Sequence, residues 1–220
     1  MRWCLLRGAH EPGEDVDLLV HPADVGALRA LLREGGFREL RAWGRWPHRF
    51  FVAGQLKFDV VTELAFGPDA ALRTHAGMAV LERREGLRPA PSDAFWALLL
   101  HVMLDRGVIR EARARELVAL APAARDETSP LRPLVDAASP PGWNASLIAD
   151  AAAAGSFEEL LGLAPELRAR WPVSLPVAGA ARTWLRGGLR LASRRLPPRP
   201  RPFAQHSGAM TSNSAARSTG

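Results

Sequence analysis

The sequence predicts an α/β fold of the α+β kind: a mixed sheet with flanking helices, followed by a helical lobe. Three observations carry this expectation. Up to residue 61, short segments alternate apolar and polar side chains with a period of two, as half-buried strands do. From Ser92 onward, apolar residues recur at helical spacing instead. Turn residues separate the early segments at Gly8, Gly35-Gly36 and Gly54-Gln55.

Taken in order, residues 3–7 (WCLLR) are a short apolar run ending at Gly8, a first strand. Residues 10–14 (HEPGE) are a turn-rich loop. Residues 15–20 (DVDLLV) are a second strand, with Asp15 and Asp17 on one face and Val16 and Leu18 on the other. Pro22 suits the first turn of a helix carrying Val25, Leu28, Leu31 and Leu32, which Gly35-Gly36 closes. Two strands are expected over 37–43 and 49–53 and a third over 56–61 (LKFDVV). In the last of these, Leu56, Phe58 and Val60 share one face, and Lys57, Asp59 and Val61 the other. Ser92 or Asp93 is placed to cap a helix bearing Phe95, Trp96, Leu99, Leu100, Met103 and Leu104. Further helices are expected over 110–120, 144–154, 157–171 and 178–196, the last basic and amphipathic. The organisation read from this is an α/β domain over 1–90, a helical lobe over 91–196 and a disordered Pro/Arg-rich, then Ser-rich tail over 197–220.

Composition narrows the function classes. The formal net charge is +6, yet residues 182–220 hold eight Arg and no acid, so the rest of the chain is slightly acidic. A nucleic-acid-binding face spreads basic residues over the folded body, so nucleic acid is not the expected partner. No apolar run reaches the roughly 18 residues of a membrane span. No signal peptide is legible at the N-terminus. The single Cys4 leaves no internal disulfide and no cysteine-rich zinc site, and it reads as inert core. A cytoplasmic protein is the simplest expectation.

The chemistry-bearing feature is a set of carboxylates. Asp15 and Asp17, at i and i+2 on a strand, point the same way and repel one another. A hard divalent cation resolves that repulsion, and Mg²⁺ favours one or two carboxylates together with phosphate oxygens. Asp59, on a strand expected in the same sheet, can supply a third carboxylate and complete a site able to hold two metal ions.

On these residues the sequence resembles the nucleotidyltransferase superfamily, which includes polymerase-β-like enzymes and aminoglycoside nucleotidyltransferases. The family pattern is a strand, a Gly-Ser turn, a spacer, an Asp-hydrophobic-Asp strand, a helix, and a later strand with the third Asp. It is matched by Leu6-Arg7-Gly8, by Asp15-Val16-Asp17-Leu18-Leu19-Val20 and by Phe58-Asp59-Val60. More narrowly, the LRG, DVDLLV, PHRFF and LKFDVVTEL segments are similar to an uncharacterised bacterial branch, some of whose members are joined to a thymidylate-kinase-like domain. The resemblance covers about residues 3–105. It implies Mg²⁺-dependent transfer of a nucleoside monophosphate from an NTP to a hydroxyl acceptor. Asp15 and Asp17 would bind metal, and Asp59 would complete the metal site and help activate the acceptor. Gly8, with Arg7 before it, would let phosphate approach closely. Lys57, His48 and Arg49, with Arg45, are candidate contacts to the triphosphate.

The chain departs from the pattern in places. Ala9 stands where the family carries Ser, the spacer from Gly8 to Asp15 is short, and no helix precedes the first strand. No GxxxxGK[ST] kinase loop occurs in the sequence. The alternative functions are therefore a catalytically degenerate nucleotidyltransferase-fold binding module, or a fragment of a longer protein that lost a kinase domain. Plainer readings stand beside the residue roles. Asp59 could pair with Lys57 or Arg49, and Arg45, His48 and Arg49 could be surface charges of a hairpin. Glu63 reads as a surface residue at a strand end. His101 and Asp105, at i and i+4, read as a packed or solvated pair rather than as metal ligands. The tail arginines read as a solvated helix face and linker.

Overall fold

The segments that alternate at a period of two assemble into one sheet. They are β1 (Trp3–Arg7), β2 (Val16–Val20), β3 (Arg38–Glu39), β4 (His48–Ala53) and β5 (Leu56–Val61), in the spatial order β1-β2-β5-β4-β3. β2 and β5 run parallel and the other neighbours antiparallel, so the sheet is mixed, as expected. The structure, a computed structural model, describes residues 1–7, 15–40 and 48–173. Expectations placed on Gly8, Ala9, Arg45, the 10–14 loop, the 178–196 helix and the tail lie outside the described residues.

Parallel pairing of β2 and β5 requires a crossover. It begins with a single 3₁₀ turn (Pro22–Asp24) and helix α1 (Val25–Glu34), which Gly35 ends. α1 covers one sheet face, where Leu18, Val20, Phe51 and Val60 pack with Leu28 and Leu32. The opposite face carries Cys4, Leu19 and Val61 into a larger core with Phe95, Trp96, Leu99 and Met103. That second core belongs to the helical half: α2 (Gly77–Glu82), α3 (Pro91–Leu100), α4 (Glu111–Leu120), α5 (Arg132–Ala138), α6 (Ala145–Ala153) and α7 (Phe157–Arg170). No helix among the described residues is long and apolar enough to cross a membrane.

Two sequence expectations are corrected. Neither Ser92 nor Asp93 caps α3. The helix begins at Pro91, whose missing N–H is no loss at the first helical position, and Ser92 and Asp93 are buried within the first turn facing Arg83. Glu63 is not a surface residue. Its Oε1 accepts the N–H of Leu64 (2.9 Å), the hydroxyl of Thr74 (3.2 Å) and the N–H of Gly77 (3.0 Å), tying the end of β5 to the start of α2. Gly77 lets the two segments approach closely: a Cβ there would lie 3.1 Å from Glu63 Oε1 and 3.2 Å from its Cα, so Glu63 would have to give way. Between these two anchors a short hairpin, β6 (Ala65–Phe66) and β7 (Leu72–Arg73), is pinned by the Trp171 indole N–H donating to the Arg73 carbonyl at 2.7 Å.

α3 does not stop at Leu100. Residues His101–Arg106 continue it as a wider π turn, ended by Gly107 at φ 65°. Such a turn loosens carbonyl groups from their regular partners. Arg168 of α7 meets two of them, donating from Nη2 to the carbonyls of Met103 (3.0 Å) and Leu104 (2.9 Å).

Cys4 sits where β1 meets the helical core and is fully buried. Burial pushes its thiol up to about 12, with nearby Arg84 opposing and Asp93 adding to the shift. The thiolate is the reactive form, and a rise from the ordinary value to that level lowers its population at pH 8 on the order of a thousand-fold. The folded protein is therefore expected to resist iodoacetamide at pH 8 and to alkylate at Cys4 only in denaturant. Stoichiometric labelling of the folded chain by mass spectrometry would contradict this.

Candidate functional site

The register of the parallel pair sets the geometry. Asp17 of β2 is the direct neighbour of Asp59 of β5, and adjacent strands run about 4.8 Å apart. Asp17 precedes Leu19, and Asp59 precedes Val61, by two residues, so both acids lie on the face that the helical half covers further along. Continued one step, the register brings Asp15 level with Lys57, and the Lys57 ammonium hydrogen-bonds Asp15 Oδ2. The three expected carboxylates are thus brought together on one face.

Like charges placed side by side across strands repel, and here each acid has acquired a basic partner. Arg7 Nε donates to Asp17 Oδ2 at 2.7 Å across the β1–β2 pair. His48 Nδ1 lies 3.0 and 2.9 Å from the two oxygens of Asp59. Lys57, besides holding Asp15, lies 4.9 Å from the centroid of the Phe50 ring, a cation–π contact. Lys57 and His48, expected as triphosphate contacts, and Arg7, expected with Gly8 where phosphate approaches, therefore surround the acids in this structure. The three carboxylates thus face two permanent cations, Arg7 and Lys57, and one imidazole. The pairs are only partly shielded from solvent. Side-chain exposures are 20% for Arg7, 18% for Asp17 and 16% for Asp59, but 50% for Asp15, so ligands can reach and exchange these partners.

Arg49 is not brought to this group. Strand alternation turns it to the α1 face with Phe51, where its Nη1 donates to Glu39 at 3.2 Å beside an Arg29–Glu39 ion pair of 2.7 Å. The contact to Lys57 or Arg49 weighed for Asp59 is replaced by His48.

The fit of a divalent cation follows from which oxygens remain open. Among the described residues, Asp15 and Asp17 each use Oδ2 for a cationic side chain and leave Oδ1 without a protein partner, whereas both oxygens of Asp59 face His48. No three His, Cys, Asp or Glu side chains among the described residues converge as a ready-made metal cage. Mg²⁺ does not need one, because it is held by one or two carboxylates while keeping water or phosphate oxygens. Hard oxygen donors on Asp15 and Asp17 fit that requirement. Asp59 fits as a third donor only when His48 releases it.

His101 and Asp105, expected as a packed or solvated pair, do form one. The π turn carries His101, whose imidazole is pushed below its ordinary value by burial first, against the hydrogen bond to Asp105, with the charges of Arg7 and Arg106 adding to the fall. His101 Nδ1 contacts Asp105 Oδ2 at 2.7 Å, and the other oxygen of Asp105 accepts the N–H of Gly67. The i, i+4 spacing of His101 and Asp105 was the only signal in the sequence, and it is shared by ordinary surface pairs.

A separate pocket of about 410 Å³ lies away from the acids, lined by Arg83, Glu85, Ala90, Pro91, Ser92, Ala123 and Asp126. Its polar groups are committed to one another. Arg83 donates to Asp93, Ser92, Asp126 and Thr128, so the guanidinium fastens α3 to the 126–128 turn and has little left for a ligand. No protein-family model, no curated protein and no solved structure matches this chain.

Proposed function

We propose that the carboxylate face binds a divalent cation with a nucleoside triphosphate, and that the chain transfers the nucleoside monophosphate to a hydroxyl acceptor. The observation that carries this reading is the register of Asp17 against Asp59 on parallel strands, with Asp15 one pleat earlier. Two acids directly abreast are an electrostatic liability for folding alone, and the arrangement is the one the nucleotidyltransferase resemblance implies. Asp15 and Asp17 would hold the cation through their open oxygens. Bound Mg²⁺ supplies charge neutralisation for the phosphates and makes the attacking hydroxyl more acidic. Arg7 and Lys57 lie against the same acids, and each can pass from a carboxylate to a phosphate oxygen as a charge-assisted donor. Gly8 and the loop that would face the phosphates lie outside the described residues.

The test is metal-dependent stabilisation. At a hundred times its dissociation constant a ligand adds about 2.7 kcal/mol to folding stability, which in a unit of this size corresponds to roughly 5–10 °C in Tm. A shift of that order is expected with an NTP and Mg²⁺ together, and not with the NTP in excess EDTA. The absence of any shift with all four NTPs up to millimolar concentration would rule the reading out.

A second reading is favoured by the fact that every acid of the group already has a basic partner. In it the chain is a binding module that has kept the fold and lost the transfer chemistry. The two readings part at turnover: pyrophosphate release with a hydroxyl acceptor supports the enzyme, whereas metal-dependent nucleotide binding without release supports the module.

A further inference from the structure

The carboxylate face holds one side chain that the pairing of acids with bases does not explain. Strand register sets Arg7 beside Asp17, Asp17 beside Asp59 and Asp59 beside Phe50, so four strands present one row: a cation, two acids and an aromatic ring. Directly paired residues point to the same side of a sheet, so the Phe50 ring stands on the face of the acids. It is half-buried, yet among the described residues it joins neither of the two hydrophobic cores. A ring so placed contributes less to folding than a core phenylalanine does. Two polar side chains attend it. The Lys57 ammonium lies over the ring, 4.9 Å from its centroid, and the His48 imidazole lies nearly parallel to it, at 6.1 Å and 17°. His48 precedes Phe50 by two residues on β4, and Lys57 is level with Val52, two residues beyond it, so the pair flanks the ring along the strand. Both are side chains that a bound metal–nucleotide draws away: Lys57 to a phosphate oxygen, and His48 when it releases Asp59 to the cation. Each departure bares the aromatic ring.

We infer that Phe50 is the stacking platform for the nucleobase of the triphosphate, an inference that rests on the nucleotide reading of this face. The distance suits the role. Phe50 stands two strands from Asp17, roughly 10 Å at the usual strand spacing, a gap that a ribose bridges when the phosphates sit on the cation. The chemistry suits it as well. A cation and a stacked base use the same π face of a ring, so the base takes the place that Lys57 vacates. The exchange leaves neither the ring nor the ammonium without a partner, because Lys57 has then met phosphate. Every base has a π face, so this contact gives affinity for a base rather than choice among bases.

Calorimetry on the full chain tests this with two probes, each in the presence of Mg²⁺. One is a non-hydrolysable ATP analogue; the other is ribose 5-triphosphate, which has the phosphates and the sugar but no base. The wild-type chain is expected to bind the ATP analogue about ten-fold tighter than ribose 5-triphosphate, the order of one base–aromatic stack. Phe50→Leu, which keeps an apolar residue on the strand, is expected to lose about that factor for the analogue and to bind ribose 5-triphosphate as the wild type does. Phe50→Tyr, which keeps the ring, is expected to bind both probes as the wild type does. A Phe50 that only supports the sheet would weaken both probes alike or neither. If neither probe binds the wild-type chain, the reading of the carboxylate face fails and takes this inference with it. If the wild-type chain binds the analogue no tighter than ribose 5-triphosphate, or if Phe50→Leu changes both affinities equally or leaves both unchanged, this inference alone is overturned. The wild-type comparison decides even where a variant does not fold.

Discussion

Asp17→Asn is expected to remove the Mg²⁺-dependent nucleotide stabilisation while leaving the protein folded. The substitution keeps the volume and a hydrogen-bonding oxygen for Arg7, so β2 stays packed through Leu18, Leu19 and Val20. What it removes is the charge directly abreast of Asp59. Loss of a group that merely supports a metal ligand costs about 10–100-fold in affinity, and loss of a charged ligand exceeds that. At least a hundred-fold weaker binding by calorimetry is expected, with Tm in the absence of metal and nucleotide changed by no more than a few degrees. The small change in Tm follows from two opposing effects: the part-buried Arg7–Asp17 ion pair becomes a neutral hydrogen bond, and relief of the Asp17–Asp59 repulsion offsets that loss. Retention of wild-type metal–nucleotide affinity in Asp17→Asn would detach the acids from the ligand altogether.

The largest stability effect is expected at Arg83, not in the site. Asp93 is completely buried, its Oδ2 accepts from Arg83 Nε at 3.0 Å, and its Oδ1 has no partner among the described residues. Arg83→Ala leaves a carboxylate in the interior with no counter-charge, a change that costs about 3–5 kcal/mol. It also unfastens Asp126 from α3, since Arg83 Nη2 holds Asp126 Oδ2 at 2.8 Å. The midpoint of urea unfolding should fall accordingly, with the slope unchanged. The double variant Arg83→Met with Asp93→Asn should recover much of the loss, because it removes the orphaned charge along with its partner. A loss under about 1 kcal/mol in Arg83→Ala would mean that water reaches Asp93, against its burial.

The parts of the fold that were legible in the sequence are those with enough residues to show a period. β1 and β5 lie where alternation puts them, and β2 follows Asp15 directly, because a one-residue slip would exchange the side chains packed under α1 for those packed in the helical core. The helices at 110–120, 144–154 and 157–171 were legible for the same reason, with Asn144 capping α6 through its side chain to the Leu147 N–H. The hairpin of β6 and β7 and the six-residue α2 were not, because two residues cannot display alternation and less than two turns cannot display a helical stripe. The start of α3 was misread because Ser92 and Asp93 have the chemistry of caps, while their actual partner, Arg83, is chosen by tertiary packing. In the site, the shared face of the three acids was legible from parity alone. The partner of each cation was not. Arg7, His48, Arg49 and Lys57 look alike as positive charges along the chain, and only the register decides that three of them meet Asp17, Asp59 and Asp15 while Arg49 meets Glu39.

The parallel neighbourhood of β2 and β5 also dictates an order of assembly. β4 and β5 are joined by the tight turn at Gly54-Gln55, so His48 and Asp59, eleven positions apart, meet within one hairpin. Asp17 reaches Asp59 only after the whole crossover through α1 has closed, a slower event of high sequence separation. Each acid therefore arrives beside its neighbour already hydrogen-bonded, Asp59 to His48 within one hairpin and Asp17 to Arg7 within the β1–β2 pair. The basic side chains act as escorts during folding, carrying each carboxylate past the repulsion that would otherwise hold the last two strands apart.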